Sequence, residues 1–266
     1  YFENNMNTAR SGGAIRYSNN AISIKILKCH FYGNSAKTSG AAISIETSPN
    51  CEINECTFER NACNSGSGSI CYHSTNANRN MNILICVFKD NTANVNGAAI
   101  ILQGNLVCNI NNCNFSENTC KTGSGTIYFD YQETSQSFKI NKCNFNVNTA
   151  KIDGAAFYIQ TASCEVNDCN FTKNTCESGS GTIFCSAQNS CQIINCHFTD
   201  NIVQNDGGAI NINTHDGQIS DCTFARNKCN AGSGTIKCRT SNTKINKCDF
   251  IENTVQVNGS AIFFYS

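Results

Sequence analysis

The chain alternates apolar and polar residues over short runs, and no stretch spaces its apolar residues at helical intervals. AISIKI at 21–26, CEINEC at 51–56 and AININ at 209–213 are examples of these runs. Alternation with a period of two indicates β-strands. Gly, Asn and Ser separate the runs, as turns require. The pattern therefore predicts an all-β protein built from many short strands.

The motif C-x-F-x-x-N recurs nine times, at intervals of 26–30 residues. Phe2 and Asn5 form a tenth copy whose Cys would precede residue 1. Nine positions after each Asn, an apolar residue follows a cluster of small residues, as in NGAAI at 96–100. Repeats of this length with two or three strands each fit the coils of a parallel β-helix, and the usual hand of parallel crossovers is right-handed. We predict one right-handed parallel β-helix domain of about ten coils over residues 1–266, as a segment of a longer repeat protein.

Equivalent residues of successive coils lie about 4.8 Å apart in such a fold, so like side chains should stack. We expect an internal column of Phe: Phe31, Phe58, Phe88, Phe115, Phe145, Phe171, Phe198, Phe224 and Phe250. We expect an Asn ladder at a turn, where a short amide tolerates left-handed backbone angles: Asn34, Asn61, Asn91, Asn118, Asn148, Asn174, Asn201, Asn227 and Asn253. We expect a column of buried free thiols: Cys29, Cys56, Cys86, Cys113, Cys143, Cys169, Cys196, Cys222 and Cys248.

Two kinds of coil alternate along the chain. One kind has Ala or Val two positions after the Asn, and the other has Cys there, followed by GSGSI or GSGTI. Where Cys occupies that position, Gly stands seven positions after the Asn, as at Cys63 and Gly68. Where Ala occupies it, Ala tends to stand at the later position too, as at Ala93 and Ala98. Because protein interiors are close-packed, this exchange suggests that the two positions touch.

Composition and charge exclude several classes of partner. Charged residues make up 14% of the chain and the formal net charge is zero, so no basic face invites nucleic acid. No apolar run is long enough to span a bilayer, and no signal peptide or lipidation motif is present. The sequence also suggests no cofactor.

The chain has 20 Cys, a number that is typical of proteins in an oxidising, extracellular compartment. The irregularly placed ones are expected to form disulfides, with Cys185–Cys191 as one pairing among several: Cys51, Cys71, Cys108, Cys164, Cys185, Cys191 and Cys238. The pairs Cys51/Cys56 and Cys164/Cys169 lack the C-x-x-C spacing, and the four His share no register with them. No metal site is therefore predicted.

Two other functions of parallel β-helices are less favoured. Polysaccharide-cleaving enzymes need clustered carboxylates in a groove, whereas here the acidic residues are dispersed, with Asp90 and Asp200 at one register position. Ice-binding proteins align columns of Thr. Thr92, Thr119 and Thr149 begin such a run of four that ends at Thr175, but no second Thr column accompanies it.

The repeated F-x-x-N together with G-G-A-I resembles the chlamydial polymorphic membrane proteins, whose passenger regions are right-handed parallel β-helices on the cell surface. F-x-x-N matches in every coil. Strict G-G-A-I occurs twice, at Gly12, Gly13, Ala14 and Ile15, and at Gly207, Gly208, Ala209 and Ile210. The resemblance implies adhesion to host or neighbouring cells through these motifs. The residues themselves indicate that Phe and Asn fill the interior, so that contact falls to the outward residues between them.

Two sequons, Asn114-Phe-Ser and Asn170-Phe-Thr, place an Asn on the outward side of a strand and are N-glycosylation candidates. Together these features predict a non-enzymatic extracellular or cell-surface protein that acts as an adhesive stalk or spacer. The alternative is a structural subunit of a surface filament, in which copies stack end to end through open sheet edges.

Overall fold

The computed structural model describes residues 1–18, 23–46, 50–130 and 136–265. These ranges contain strands, turns and bends and no helix. The strands pair in parallel with the equivalent strands of the neighbouring coils and form three stacked sheets. The structure thus confirms the parallel β-helix. Ten strands in register along sheet 1 enclose nine complete turns, so the expected ten coils count the rungs of the stack.

Sheets 1 and 2 take one strand from every coil, whereas three coils contribute two strands each to sheet 3. Sheet 1 consists of Phe2–Glu3, His30–Tyr32, Thr57–Glu59, Val87–Lys89, Asn114–Ser116, Asn144–Asn146, Asn170–Thr172, His197–Thr199, Thr223–Ala225 and Asp249–Ile251. Sheet 2 consists of Met6–Asn7, Ser35–Ala36, Ala62–Cys63, Thr92–Ala93, Thr119–Cys120, Thr149–Ala150, Thr175–Cys176, Ile202–Val203, Lys228–Cys229 and Thr254–Val255. Sheet 3 consists of Ile15–Tyr17, Ser23–Leu27, Ile43–Glu46, Asn50–Asn54, Ile70–Leu84, Ile100–Asn111, Ile127–Asp130, Ser137–Asn141, Phe157–Asn167, Ile183–Ile194, Ile210–Ser220, Ile236–Asn246 and Ile262–Phe264.

Sharp corners of positive φ separate the sheets. The residue before each ladder Asn turns the chain from sheet 1 to sheet 2: Asn4, Gly33, Arg60, Asp90, Glu117, Val147, Lys173, Asp200, Arg226 and Glu252. The residue before each column Cys turns it from sheet 3 to sheet 1: Lys28, Glu55, Ile85, Asn112, Lys142, Asp168, Asn195, Asp221 and Lys247. The expectation that the ladder Asn itself takes the left-handed conformation is therefore wrong. The corner belongs to the preceding residue, which leaves the Asn side chain free to point inward.

The Phe column fills the interior behind sheet 1. From Phe2 to Phe250, successive ring centroids lie 4.6–5.1 Å apart and successive planes diverge by 3–14°. Each ring from Phe31 to Phe224 is buried, and burial of a Phe side chain stabilises a fold by about 1.5–3 kcal/mol. Each coil thus helps to bury the Phe ring of the next coil, and the column fixes the register in which the coils stack.

The two kinds of coil interlock. Ala93, Ala98, Cys120 and Ala150 form one small buried apolar cluster, so the positions two and seven after the Asn lie in the same packing unit. The Cys120 thiol hydrogen-bonds to the carbonyl of Val95 in the preceding coil. A Cβ at Gly123 would lie 1.9 Å from that same carbonyl oxygen, so only Gly fits. A GSG turn therefore packs directly against the preceding coil, which has Ala two positions after its Asn. This contact explains why the two kinds of coil alternate.

Candidate functional site

The ladder Asn side chains form a continuous hydrogen-bonded column inside the corner between sheets 1 and 2. Each Nδ2 donates to Oδ1 of the next Asn at 2.8–3.1 Å. Each Nδ2, from Asn34 onward, also donates to the Phe carbonyl of the preceding coil at 2.7–3.0 Å. The amides from Asn34 to Asn227 are buried. These residues hold the stack together and offer no surface to a partner.

The column Cys residues form a second ladder at the corner between sheets 3 and 1. The backbone N–H of Cys113 donates to the Cys143 sulfur at 3.4 Å, and the Cys113 thiol donates to the Asn111 carbonyl at 3.3 Å. The neighbouring Cys143 thiol and burial together raise the pKa of Cys113 to about 12. Column thiols of this kind stay protonated and unreactive at neutral pH.

The structure contains no disulfide, because all 20 cysteines are free thiols. The expectation of bridges among the irregularly placed cysteines, including Cys185–Cys191, is therefore wrong for this structure. The expected bridges are absent because most of these cysteines face the core from separate coils. Cys51 and Cys108, for example, both pair in register with Met81, which separates them.

Three of the irregular cysteines do meet, and sequence reasoning missed the group. The sulfurs of Cys164, Cys185 and Cys191 all lie within 4.8 Å of one another, and all three residues are fully buried. We name them the thiol cluster. Cys164 in Phe157–Asn167 lies in register with Cys191 in Ile183–Ile194. Cys185 belongs to the second of these strands and reaches the same point from the other side of a bend, where the register shifts between Ala187 and Ser190.

The electrostatics of the thiol cluster set its members apart from the other cysteines. Hydrogen bonding with Cys164 and then with Cys185 lowers the pKa of the Cys191 thiol, against the effect of burial. Hydrogen bonding with Cys164 and Cys191 raises the pKa of the Cys185 thiol, and burial acts in the same direction. Of the described residues, these three are the ones that could hold a metal ion.

The G-G-A-I residues lie inside the fold. Gly207, Gly208, Ala209 and Ile210 are all buried, and Ile210 belongs to the core cluster that contains the Phe column. In the first coil, Gly12 is buried, and Gly13, Ala14 and Ile15 are half-buried. The motif therefore shapes the turn between sheets 2 and 3 and lies behind the outer surface.

Both sequon asparagines are exposed on the outer face of sheet 1. Asn170 Nδ2 donates to Asn144 Oδ1 at 2.9 Å, and Asn144 Nδ2 donates to Asn114 Oδ1 at 2.8 Å. These bonds form a short outward ladder that the sequence analysis did not anticipate, although the three Asn share one position of the repeat. Nδ2 of Asn114 donates no bond within this ladder.

A row of stacked aromatic rings lies on the outer face of sheet 3. The Tyr128 and Tyr158 rings are 5.0 Å apart, and the Tyr158 and Phe184 rings are 4.7 Å apart. The Tyr128 hydroxyl donates to Asp130 at 2.9 Å, and Gln160 hydrogen-bonds to the Tyr158 hydroxyl. All three rings are half-buried, so part of each faces solvent. We name Tyr128, Tyr158 and Phe184 the aromatic row.

The acids considered for polysaccharide cleavage lie at corners between sheets 1 and 2, and each pairs with Arg of a neighbouring coil. Asp90 Oδ2 is 3.3 Å from Arg60 Nε, and Asp200 Oδ1 is 2.8 Å from Arg226 Nε. Asp200 and Asp90 are four coils apart along the stack. The two acids therefore do not form one site.

Compared with protein-family models, with curated proteins and with solved structures, the chain has no match. The resemblance to the chlamydial polymorphic membrane proteins therefore depends on the F-x-x-N and G-G-A-I residues alone. In the described part of the chain, no helix has the length and apolar character needed to cross a bilayer.

Proposed function

We propose that this protein is a non-enzymatic rod of the extracellular space or cell surface, which acts as an adhesive stalk or spacer. The observation that carries the proposal is the contrast between the two sides of the same strands. In sheet 1 the inward residue is Phe in all ten coils. The outward residue before it changes from His30 to Thr57, Val87 and Asn114 along successive coils. The repeated inward residues thus maintain the rod, while the outward residues differ from coil to coil.

Stiffness follows from the pairing. Every coil is joined to the next by parallel backbone hydrogen bonds in three sheets, by ring stacking and by the Asn ladder. Nine steps of about 4.8 Å give a rod close to 43 Å long. A rod whose coils are joined in this way can hold a binding surface at a fixed distance from its base.

The aromatic row is the surface that we propose for contact. Aromatic residues are enriched in protein interfaces, because a large apolar ring can be desolvated while a polar edge keeps a hydrogen bond. Tyr128 and Tyr158 have this character, since their hydroxyls are engaged at the edge of the row. The proposed partner is a molecule on the surface of a host or neighbouring cell.

An attachment assay tests this proposal. Beads coated with the protein should adhere to host or neighbouring cells, and beads coated with Y158S or F184S should adhere less. Y32S is the matched control, because Tyr32 is another half-buried outward Tyr, on sheet 1. If wild-type beads did not adhere, or if F184S and Y32S beads adhered equally well, the adhesive role would be contradicted. The spacer role alone would then remain.

The extracellular location has its own test. If the chain passes through a eukaryotic secretory pathway, the exposed Asn114 and Asn170 should carry glycans that peptide N-glycosidase removes. N114Q and N170Q should each migrate faster by the equivalent of one glycan. N144Q, which is in the same outward ladder but outside a sequon, should migrate as the wild type does. A secreted chain with neither glycan would contradict this part of the proposal.

A filament subunit is the second candidate. Phe2 and Phe250 are half-buried at the two ends of the aromatic column, so a further coil from the same chain or from another copy would extend the stack. Electron microscopy of the purified chain separates the candidates. Fibres that lengthen with protein concentration favour the filament, and discrete rods of constant length favour the stalk or spacer.

A further inference from the structure

The thiol cluster lies where the core is otherwise filled by larger side chains. In register with Cys185, the neighbouring coils carry Ile159 on one side and Ile212 on the other. In register with Cys191, the next coil carries Gly217, which is buried and has no side chain. One thiol thus stands between two Ile at the Cys185 position, and two thiols and a Gly follow Phe138 at the other position. The three sulfurs meet at this level of the stack.

A depression in the surface leads towards this level. It has a volume of about 360 Å³ and is lined in part by Thr161, Ser186 and Ala187. Ser186 and Ala187 directly follow Cys185 in the chain. Thr161 is buried, and its Oγ1 has no hydrogen-bond partner among the described residues. Thr161, which carries the unsatisfied oxygen, lies in register with Ala187, two residues after Cys185 in the neighbouring strand.

We propose that Cys164, Cys185 and Cys191 bind one thiophilic monovalent metal ion, Cu(I), through their three sulfurs. Metal–thiolate bonds are about 2.3 Å long, which places three sulfurs around one ion about 4 Å apart. The sulfurs already lie within 4.8 Å of one another, so small side-chain rotations complete the site. Soft sulfur ligands select Cu(I) over hard cations such as Mg²⁺ and Ca²⁺.

The number of ligands distinguishes Cu(I) from Zn²⁺. Structural zinc sites are tetrahedral and take four ligands, whereas only three residues converge here among those described. Copper(I) can bind three sulfur ligands, and soft thiolates select it.

The binding step is a proton exchange without oxidation or reduction. The three S–H bonds of the thiol cluster break as three Cu–S bonds form, and the three protons leave to solvent. Copper remains Cu(I) throughout.

Anaerobic titration of the fully reduced chain tests the site. Cu(I), supplied as its acetonitrile complex, is added in competition with bathocuproine disulfonate, and the protein-bound copper is measured together with the near-ultraviolet sulfur-to-copper absorption. We expect one copper per chain that resists the chelator. We expect C191A and C185I to lose at least about 100-fold in affinity, since loss of a mere outer-shell partner already costs 10–100-fold.

Two features keep this experiment decisive. C185I introduces the residue that occupies the same register position in both neighbouring coils, so the core stays filled, and circular dichroism checks that the variant folds. C108A is the matched control, because Cys108 is equally buried and lies two coils before Cys164, beyond Phe138. C108A should bind copper as the wild type does. A wild type that retains no copper, or C185I and C191A variants that retain copper as the wild type does, would overturn the proposal.

Discussion

Nδ2 of Asn118 donates a hydrogen bond of 2.9 Å to Oδ1 of Asn148, one coil further along the stack. The backbone N–H of Asn118 donates to the same oxygen at 3.1 Å, and Nδ2 gives its second bond to the Phe88 carbonyl at 3.0 Å. Asn91 bonds in the same way to Oδ1 of Asn118. All four hydrogen-bonding positions of the Asn118 amide are therefore used, and no other side chain of this size supplies two donors and two acceptors.

We therefore expect substitution of a ladder Asn to be severe. N118L should lose about 3–6 kcal/mol of unfolding free energy, because it leaves several buried groups unpaired at about 1–3 kcal/mol each. N118D should be destabilised more at pH 7 than at pH 4, since the carboxylate accepts but cannot donate and its charge would be buried. Urea denaturation at both pH values measures this.

The control for the ladder is Asn146, which is exposed in the next coil. N146D should change the unfolding free energy by less than about 0.5 kcal/mol, as surface substitutions usually do. If N118D and N146D were equally stable, the ladder would be a consequence of the stacking and would contribute little to it.

Val147 occupies a corner of positive φ, at 55°, with 44% of its surface exposed. A β-branched residue is strained in this conformation, by about 1–2 kcal/mol relative to Gly or Asn. V147N should therefore raise the urea midpoint. K173N, at the equivalent corner one coil later with φ 54°, should raise it less, because Lys is not β-branched. A midpoint for V147N at or below that of the wild type would contradict the strain.

These corners mark the limit of what the sequence could predict. The repeat interval of Phe and Asn predicts the stacked columns, because a side chain that recurs at one position of every coil lies above its equivalent in the preceding coil. The corner positions carry Lys28, Ile85 and Val147, which have no turn preference, since the backbone path there is imposed by the neighbouring coils. The thiol cluster was missed for a related reason. Cys164 and Cys191 are 27 residues apart, one coil length, but Cys185 joins them only through the bend in its strand.

The small apolar cluster of Ala93, Ala98, Cys120 and Ala150 predicts the effect of overpacking. A98L should destabilise the protein by about 1–3 kcal/mol, because added methylenes in a filled core force backbone shifts. The double variant A93V/A98G should be tolerated, since Val203 and Gly208 already form this combination four coils later in the chain. Urea midpoints compare the two. Equal stability of A98L and the wild type would show that the two positions do not touch.

Buried thiols should make the rod sensitive to alkali. Burial is the main cause that raises the pKa of six thiols from 9.0 to about 12: Cys51, Cys63, Cys71, Cys120, Cys176 and Cys238. Between pH 9 and pH 12 the unfolded chain releases these protons while the folded chain retains them. The unfolding free energy therefore falls as pH rises through this window, and these groups hardly change it below about pH 8.

The size of the effect makes the transition sharp. Each such thiol lowers the unfolding free energy by about 1.4 kcal/mol at pH 10, so six lower it by about 8 kcal/mol, comparable to the whole stability of many domains. We expect the urea midpoint to be nearly constant from pH 7 to 8 and to collapse near pH 10, with thiolate absorption near 240 nm appearing as the β-sheet circular dichroism disappears. C63A is the matched variant, because Ala36 and Ala93 hold the same register position in the adjacent coils. Its midpoint should fall less steeply with pH, by the contribution of one thiol. A wild-type midpoint that stayed constant to pH 11 would mean that these thiols ionise in the folded rod, and hence that the core admits water at the cysteine positions.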